Sequence, residues 1–406
     1  MKIAIVSKAS ILGGGASKVA TELTNLLKQD GHFVQHYRRD LEYGFTKESP
    51  CVYGPYEKIA KKTYYKLKYF GLQEIIPWEY LYLKKEIKEH QFDLIHFHDL
   101  TTAISPFTLM LLSKRLPVIW TLHDTSAFTG GCINPFNCKK FMLNCYPCPQ
   151  KRFWPMGGKF DLAFLYLKIK SKMHKKNIHL ISPSNWLADF STTNTIIKNK
   201  PFIIHNGVDT KAYKFLNKQE SKRKINIPLN RFIILLTAHN VCDENKGFKY
   251  ALETIYYLKD LNPYILLVGN IKDNIKNTLK EYDYLSTGFI SNKEELNIYY
   301  NASDIFINCS LADNFPLVVL ETMASGTPTF GFATGGIPEM IQQNVNGFLV
   351  VNKDTKLLAK KIKEVYLTRQ LSEFSENAKD IAENHFSNEI FLKNHLKFYK
   401  SILTIN

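Results

Sequence analysis

Nowhere does the sequence run through about 18 uninterrupted apolar residues, so no membrane-spanning helix is expected and any membrane contact would be peripheral. The opening Met-Lys-Ile-Ala-Ile-Val-Ser has no charged-then-apolar leader and no small-residue cleavage site, so a cytoplasmic protein is expected. Acidic residues are scarce in one half only: residues 1–200 hold 15 Asp and Glu against 29 Lys and Arg, while residues 201–406 hold 22 against 24. Most of the formal charge of +16 therefore sits in the first half, where it would attract an anionic lipid surface, a phosphorylated acceptor or nucleic acid. A basic helix interleaved with aromatics of the recognised kinds is missing, and no specific nucleic-acid partner is expected. The glycines at 13–15 have neither the spacing of a dinucleotide fingerprint nor the Lys-Ser/Thr ending of a Walker loop. Cysteine is thin as well, seven in the chain, and four of these crowd between Cys132 and Cys148, which reads as a local metal or thiol site and not as a secreted disulfide framework.

What is present is enough apolar material for two cores. With 406 residues, 45% of them hydrophobic, the chain is too long for one ordinary core, and two domains of roughly 200 residues are expected. Short apolar runs at 3–7, 94–97, 118–122 and 178–182 alternate with helix-like stretches such as 16–29, where Val19, Leu23, Leu26 and Leu27 recur at helical spacing. Such alternation predicts an open parallel sheet with helical crossovers. A second series at 202–204, 232–237, 265–268, 284–287 and 305–308 repeats the pattern. The polar stretch 191–200 is the expected linker. It divides the chain into an N-terminal domain 1–195 and a C-terminal domain 201–386, followed by an amphipathic helix 387–406. The fold class is α/β, with the same architecture used twice.

The stretch 310–337, SLADNFPLVVLETMASGTPTFGFATGGI, places Asp313 in a loop and a second acid, Glu321, eight positions on at the expected start of a small-residue helix. A loop-to-helix junction offers free N–H groups and the positive end of a helix dipole to a diphosphate, and Glu321 there is placed to accept from a ribose diol. Lys246-Gly247-Phe248 follows the first full strand of the second series. In the first half His123-Asp124 closes an apolar run, at the carboxyl end of a strand where open α/β sheets put their ligands, and His98-Asp99 is placed likewise. Gly13-Gly14-Gly15 joins a strand to a helix, as phosphate-binding loops do.

Together these stretches resemble the retaining family 4 glycosyltransferases, whose acid-x7-acid motif matches Asp313 and Glu321. Thr334-Gly335-Gly336-Ile337-Pro338-Glu339, Asn346-Gly347-Phe348, Pro183-Ser184-Asn185-Trp186 and His205-Asn206-Gly207-Val208-Asp209 extend the likeness over nearly the whole chain. The resemblance implies the GT-B fold, two Rossmann-like domains facing each other across a cleft, with the final helix packing back on the N-terminal domain. It also implies transfer from a nucleotide diphosphate sugar, UDP- or GDP-linked, to a saccharide or polyprenyl-linked acceptor, with retention and without a catalytic metal. On this pattern Asp313 and His123 act at the reacting centre, and His98 and Asp124 are acceptor-side candidates. Gly14, Gly15, Asn240, Lys246, Asn314, Phe315, Leu317 and Glu321 hold the donor, with base recognition near 288–290. The chain departs from the family at three points. The first acid is Asp313 where Glu is usual, Pro316 has no N–H to offer, and Asn240 or its neighbour His239 stands where relatives carry Arg.

Cys132, Cys138, Cys145 and Cys148 form C-x5-C-x6-C-x2-C, a complete tetrahedral set for structural zinc. The insertion that carries them, 126–150, is rich in Gly and Pro and is not expected to offset its ordering entropy unaided. An exopolysaccharide subgroup of the family, of the colanic-acid type, is similar in this insertion, which implies a role in making a surface polysaccharide. Two basic-aromatic stretches, 58–70 and 164–176, are expected to lie against the anionic inner face of the plasma membrane. Competing readings are a GT-B nucleotide-sugar epimerase, a phosphorylase, for which no pyridoxal phosphate lysine can be argued, and a non-enzymatic zinc protein that binds nucleic acid.

Overall fold

The apolar runs become parallel strands. The computed structural model describes residues 1–9, 13–39, 49–240, 243–271 and 273–405, and the side chains of these apart from 238–240, 273, 274, 276 and 405. The chain divides into two compact units, one of Met1–His205 with Leu392–Asn406 and one of Asn206–Phe391. Unit 1 carries β1 (Lys2–Ser7), β2 (Phe33–Arg38), β3 (Leu94–His98), β4 (Val118–Thr121), β5 (Ile178–Ser182) and β6 (Phe202–Ile203), in the sheet order β2-β1-β3-β4-β5-β6. Unit 2 carries β7 (Ile233–Asn240), β8 (Tyr264–Asn270), β9 (Tyr284–Ser286), β10 (Ile305–Asn308), β11 (Thr329–Phe332) and β12 (Gly347–Val350), in the order β12-β11-β10-β7-β8-β9.

Helices cover both faces of each sheet, which is why the inner strands read as continuous apolar runs: Ile3, Ile5 and Val6 are all fully buried, as are Ile233, Ile234 and Leu235. The first crossover helix, Gly15–Gln29, buries Val19, Ala20, Leu23 and Leu27 along one stripe. In unit 1 the strand order reverses between β1 and β3, and in unit 2 between β7 and β10. Such reversals open a crevice at the carboxyl edge of a parallel sheet, because the connecting helices leave to opposite faces.

Three differences from the sequence reading have physical causes. Residues 202–204, expected to start the second series, instead close the first sheet. Ile204 N–H donates to Ser182 O at 3.0 Å and Phe202 stacks on Phe398 of the final helix at 4.7 Å. Unit 1 accordingly runs to His205, past the expected boundary at 195. The strand β2 escapes a hydrophobicity pattern because it buries polar groups on partners distant in sequence: His36 Nε2 pairs with Ser7 Oγ and Tyr37 OH donates to Glu86, each at 2.8 Å. The stretch 164–176, expected on a membrane surface, is split between surface and core: Phe164, Lys168, Lys172, Lys175 and Lys176 are exposed, and the opposite face is buried. Its helix Ala163–Met173 buries Tyr166, Leu167, Ile169, Met173 and even Lys170, whose Nζ donates to Ser126 O at 2.7 Å.

The final helix, Asn388–Ile405, changes membership at Leu392. Its first residues belong with unit 2, where Asn388 N–H donates to Val208 O at 3.0 Å. Its later turns bring Tyr399, fully buried, and His395 under β3 of unit 1.

Candidate active site

Unit 2 gathers charge at its switch point. Lys246 lies just past β7, in a short turn opened by Asp243, whose side chain caps it, and closed by Gly247 at φ +64°. Asp313 lies in the loop after β10, and Lys246 Nζ reaches its Oδ2 at 2.8 Å. The Asp313 carboxylate holds the Lys246 pKa above its usual value, so the ammonium is charged at any working pH. Two glycines make this approach sterically open. A Cβ on Gly247 would collide with the Cys309 carbonyl oxygen, and one on Gly335, at φ +59°, with that of Asp313. Leu311 N–H donates to Asn245 O at 2.7 Å, which locks the loops after β7 and β10 together.

Glu321 is in a different position from the one expected. The helix starts at Leu317, directly after Pro316, whose fixed φ suits its N-terminal boundary, so Glu321 lies in the second turn and is buried. Its Oε2 accepts from Tyr300 OH at 3.2 Å, and Tyr213 bonds the same carboxylate, with both phenols pushed far above their usual pKa, by burial first and by Glu321 second. Of the other expected donor residues, Leu317 is the first residue of that helix and Asn314 adjoins Asp313, whereas the Phe315 ring is core, against Phe386 at 5.8 Å, with its carbonyl taken by Asn206 Nδ2. The Asn240 side chain lies outside the described residues, though its backbone ends β7.

Unit 1 presents a different chemistry at its switch point. Gly14, at φ +99°, precedes the helix that Gly15 begins, and among the described residues nothing lies within 4 Å of where a Cβ would stand at either. Across the carboxyl edge, His98 Nδ1 and His123 Nε2 share a hydrogen bond of 2.9 Å. His96 lies behind them, its two nitrogens bonded to Thr121 Oγ1 and Tyr399 OH at 2.7 Å each. Among the described residues His98 Nε2, which is buried, has no hydrogen-bond partner. Burial drives all three rings towards the neutral form, His123 down to about 3. Asp124 does not face outward from the pair: its carboxylate accepts from Ser126 N–H at 2.7 Å and Thr101 OH at 3.3 Å, capping the turn Thr125–Phe128. Asp99, at φ +48°, is pushed up to about 6 by burial. The sequence offers Tyr399 only as a burial candidate of the final amphipathic helix and does not single out His96, Tyr300 or Tyr213. They join their partners only through contacts distant along the chain, and no motif marks them.

The four cysteines of the insertion all line one recess of about 300 Å³ beside Phe141 and Met156. Their thiols are free, and Gly130 N–H donates to Cys145 Sγ at 3.1 Å. Burial pushes Cys132 up to about 12 and Cys145 to about 11. Among the described residues no group of three or more His, Cys, Asp or Glu is arranged to hold a metal ion. Aromatic packing and side-chain hydrogen bonds also tie the insertion down. Phe128, Phe141 and Phe190 form a ring cluster with centroids 5.3–6.2 Å apart, each buried ring contributing about 1.5–3 kcal/mol. Asn194 Nδ2 donates to the carbonyls of Phe128 and Phe141.

This architecture and these motifs agree with sequence families. The model described as Glycosyltransferase Family 4 matches residues 13–212 and that described as Glycosyl transferases group 1 matches 217–385. The chain belongs to the family 4 glycosyltransferases and has the GT-B class of fold, and it is therefore a glycosyltransferase. Among individual relatives, an uncharacterized 41.2 kDa protein in the cps region of Klebsiella pneumoniae is 22% identical, over 98% of this chain and 99% of its own. The putative colanic acid biosynthesis glycosyl transferase WcaC of Escherichia coli K12 is 23% identical, over 70% and 68% respectively. Among solved structures, sucrose-phosphate synthase from Thermosynechococcus elongatus superimposes with a TM-score of 0.75 at 17% identity, covering 100% of both chains. Anabaena Alr3699/HepE in complex with UDP-glucose gives 0.66 at 16% identity, covering 99% of this chain and 100% of that one.

Proposed function

We propose that the enzyme moves a sugar from a UDP- or GDP-linked donor to a saccharide or polyprenyl-linked saccharide, with retention, during surface polysaccharide biosynthesis at the cytoplasmic face of the plasma membrane. The observation that carries the donor half of this reading is the Lys246–Asp313 pair, 2.8 Å apart at the β7/β10 switch point. A lysine ammonium has three protons to donate, so Lys246 can keep Asp313 oriented and still bind a diphosphate oxygen. Its positive charge then stabilises the departing nucleotide diphosphate. Asp313, held in place, accepts from donor-sugar hydroxyls, and Glu321 from the ribose, with the two tyrosines fixing its second-turn position. In unit 1, His123 is a neutral imidazole oriented by His98, suited to sharing a proton with a sugar hydroxyl and not to carrying a charge. The UDP-glucose held by the Anabaena protein and the putative colanic acid role of the E. coli relative support the donor class and the pathway class.

Purified enzyme screened by thermal shift against UDP, GDP and their sugars is expected to be stabilised by one nucleotide series, since ligands that bind only the folded state raise its melting point. Donor turnover followed by proton NMR would then report the anomeric configuration of the product. No stabilisation by any nucleotide sugar would sink the donor assignment, and an inverted product would sink retention.

The reading includes a structural zinc on Cys132, Cys138, Cys145 and Cys148, supported by the four thiols lining one recess. Four thiolates close the coordination sphere, so the ion would organise the insertion and leave the chemistry to other groups. Protein purified without added metal is expected to carry about one equivalent of zinc, lost in Cys145→Ser/Cys148→Ser with nucleotide binding kept. Metal-free protein with four titrating thiols counts against it.

A further inference from the structure

Among the described residues, half of the large hydrophobic side chains that stand exposed lie in two segments of unit 1, 56–70 and 136–164. The helix Glu57–Phe70, fourteen residues long, buries only Ala60, leaving Tyr65 at 70% and Tyr69 at 62% exposure. An ordinary surface helix hides an apolar stripe against the core, and this one turns its rings outward.

Contacts between the segments make these rings one surface. Tyr69 meets Phe70 at 5.1 Å, Phe70 stacks on Phe160 at 6.2 Å, and Tyr146 meets Phe164 at 6.0 Å at the start of the following helix. Lys159 joins helix to loop: its N–H donates to Tyr69 O at 2.8 Å, and its Nζ lies over the rings of both Tyr69 and Phe160.

The charge around this surface has one sign. The two segments hold ten Lys and Arg against Glu57 and Asp161. Both acids are engaged, Glu57 with Lys61 at 2.9 Å and Asp161 with the N–H groups of Cys148 and Ala163. Lys58, Lys62, Lys66 and Lys68 on the helix, and Lys139, Lys140, Lys151 and Arg152 on the loop, are exposed.

We propose that this face of unit 1 docks on an anionic phospholipid bilayer, with the aromatic rings at headgroup depth and the basic side chains over lipid phosphates. The charge argues against a second copy of the chain as occupant, since two such faces repel. The proposal deepens the functional reading above, on which it rests for its purpose but not for its geometry: a lipid-linked acceptor would be presented where the enzyme already sits.

The test uses the full chain and sedimentation with vesicles of phosphatidylcholine alone or mixed with phosphatidylglycerol. The mixed vesicles are expected to carry the protein down at low salt and release it at high salt. Lys58→Glu/Lys62→Glu/Lys66→Glu/Lys68→Glu is expected to lower partitioning by more than about a hundredfold. Tyr65→Ala/Tyr69→Ala/Phe160→Ala is expected to leave weak, wholly salt-sensitive binding. Thermal stabilisation by nucleotide sugars should persist in both variants, which separates failure here from failure of the donor assignment. Equal binding to both vesicle types, undiminished binding by the folded lysine variant, or capture of a random duplex in preference to acidic vesicles overturns the proposal.

Discussion

Ten of the twelve histidines and all four tryptophans belong to unit 1, whereas unit 2 builds its site from an ion pair and a carboxylate clasped by two tyrosines. Unit 1 buries polar rings by keeping them uncharged, and unit 2 buries charges by pairing them. The two strategies respond to acid with different midpoints. They also suit different partners: neutral imidazoles exchange protons with hydroxyl groups, and a fixed ammonium holds a phosphate.

The largest effect expected from this contrast is on acid stability. An imidazole held below 6.5 weakens the fold as pH drops from 6.5 towards its lowered value, because the unfolded ring takes up a proton that the folded ring refuses. Burial lowers His36 and His123 to about 3 and His174 to about 4, and it also lowers His32, His96, His98 and His179. Glu74, Glu79, Asp99 and Asp124 of the same unit are raised by burial and act in the opposite sense, regaining stability on acidification. The rings outnumber them, so unit 1 is expected to lose stability between pH 7 and 4.5. In unit 2, burial at Asp209 and Asp304 is outweighed by their lysines and N–H donors, which leaves both acids lowered. Their contribution is present above the usual 3.8 and lost only as pH falls further. Tryptophan fluorescence, which reports unit 1 alone, should therefore change at higher pH than the hydrogen-exchange protection of unit 2. A single coincident transition would erase the contrast.

A smaller effect separates the two sites in catalysis. Lys246→Ala is expected to weaken nucleotide binding by roughly a hundredfold, since it removes a charge-assisted contact and leaves Asp313 alone. His123→Ala is expected to lower kcat by about a hundredfold with nucleotide affinity intact. Calorimetric titration with the nucleotide, run beside turnover, distinguishes them, and a matched loss of affinity in both variants breaks the division of labour. The smallest effect is at Tyr300→Phe, which leaves Glu321 with Tyr213 alone. A loss of about 1 kcal/mol is expected, read as a drop of a few degrees in Tm.

Much of the framework was legible because buried parallel strands are apolar on both faces, as at Ile305–Asn308; its bounds, and those of the half-buried Ile178–Ser182, matched the reading. Legibility failed where polarity is satisfied at long range, as at β2 with His36 on Ser7, and where a strand is short and glycine-containing, as at β11. The site divides similarly. Lys246, Asp313 and the His98–His123 pair stand at strand ends, where local pattern and topology agree. Glu321 was located by motif but misplaced within its helix, because the helix starts at Leu317, directly after Pro316 and four residues before Glu321. Tyr300 left no signal, and the amphipathic pattern of the final helix marked Tyr399 for burial but not for bonding, since what makes each matter is a partner far along the chain.

His96 and its partner Tyr399 are 303 residues apart. During synthesis the first unit emerges from the ribosome early, but the residue that completes the bonding of its buried imidazole arrives roughly 15–60 s later at the usual 5–20 residues per second. All of unit 2 is made within that interval and is free to fold in it. The half that is translated first is thus the half that matures last, and while it waits β3 stands without the helix that covers His96, open to a chaperone or to a neighbouring nascent chain.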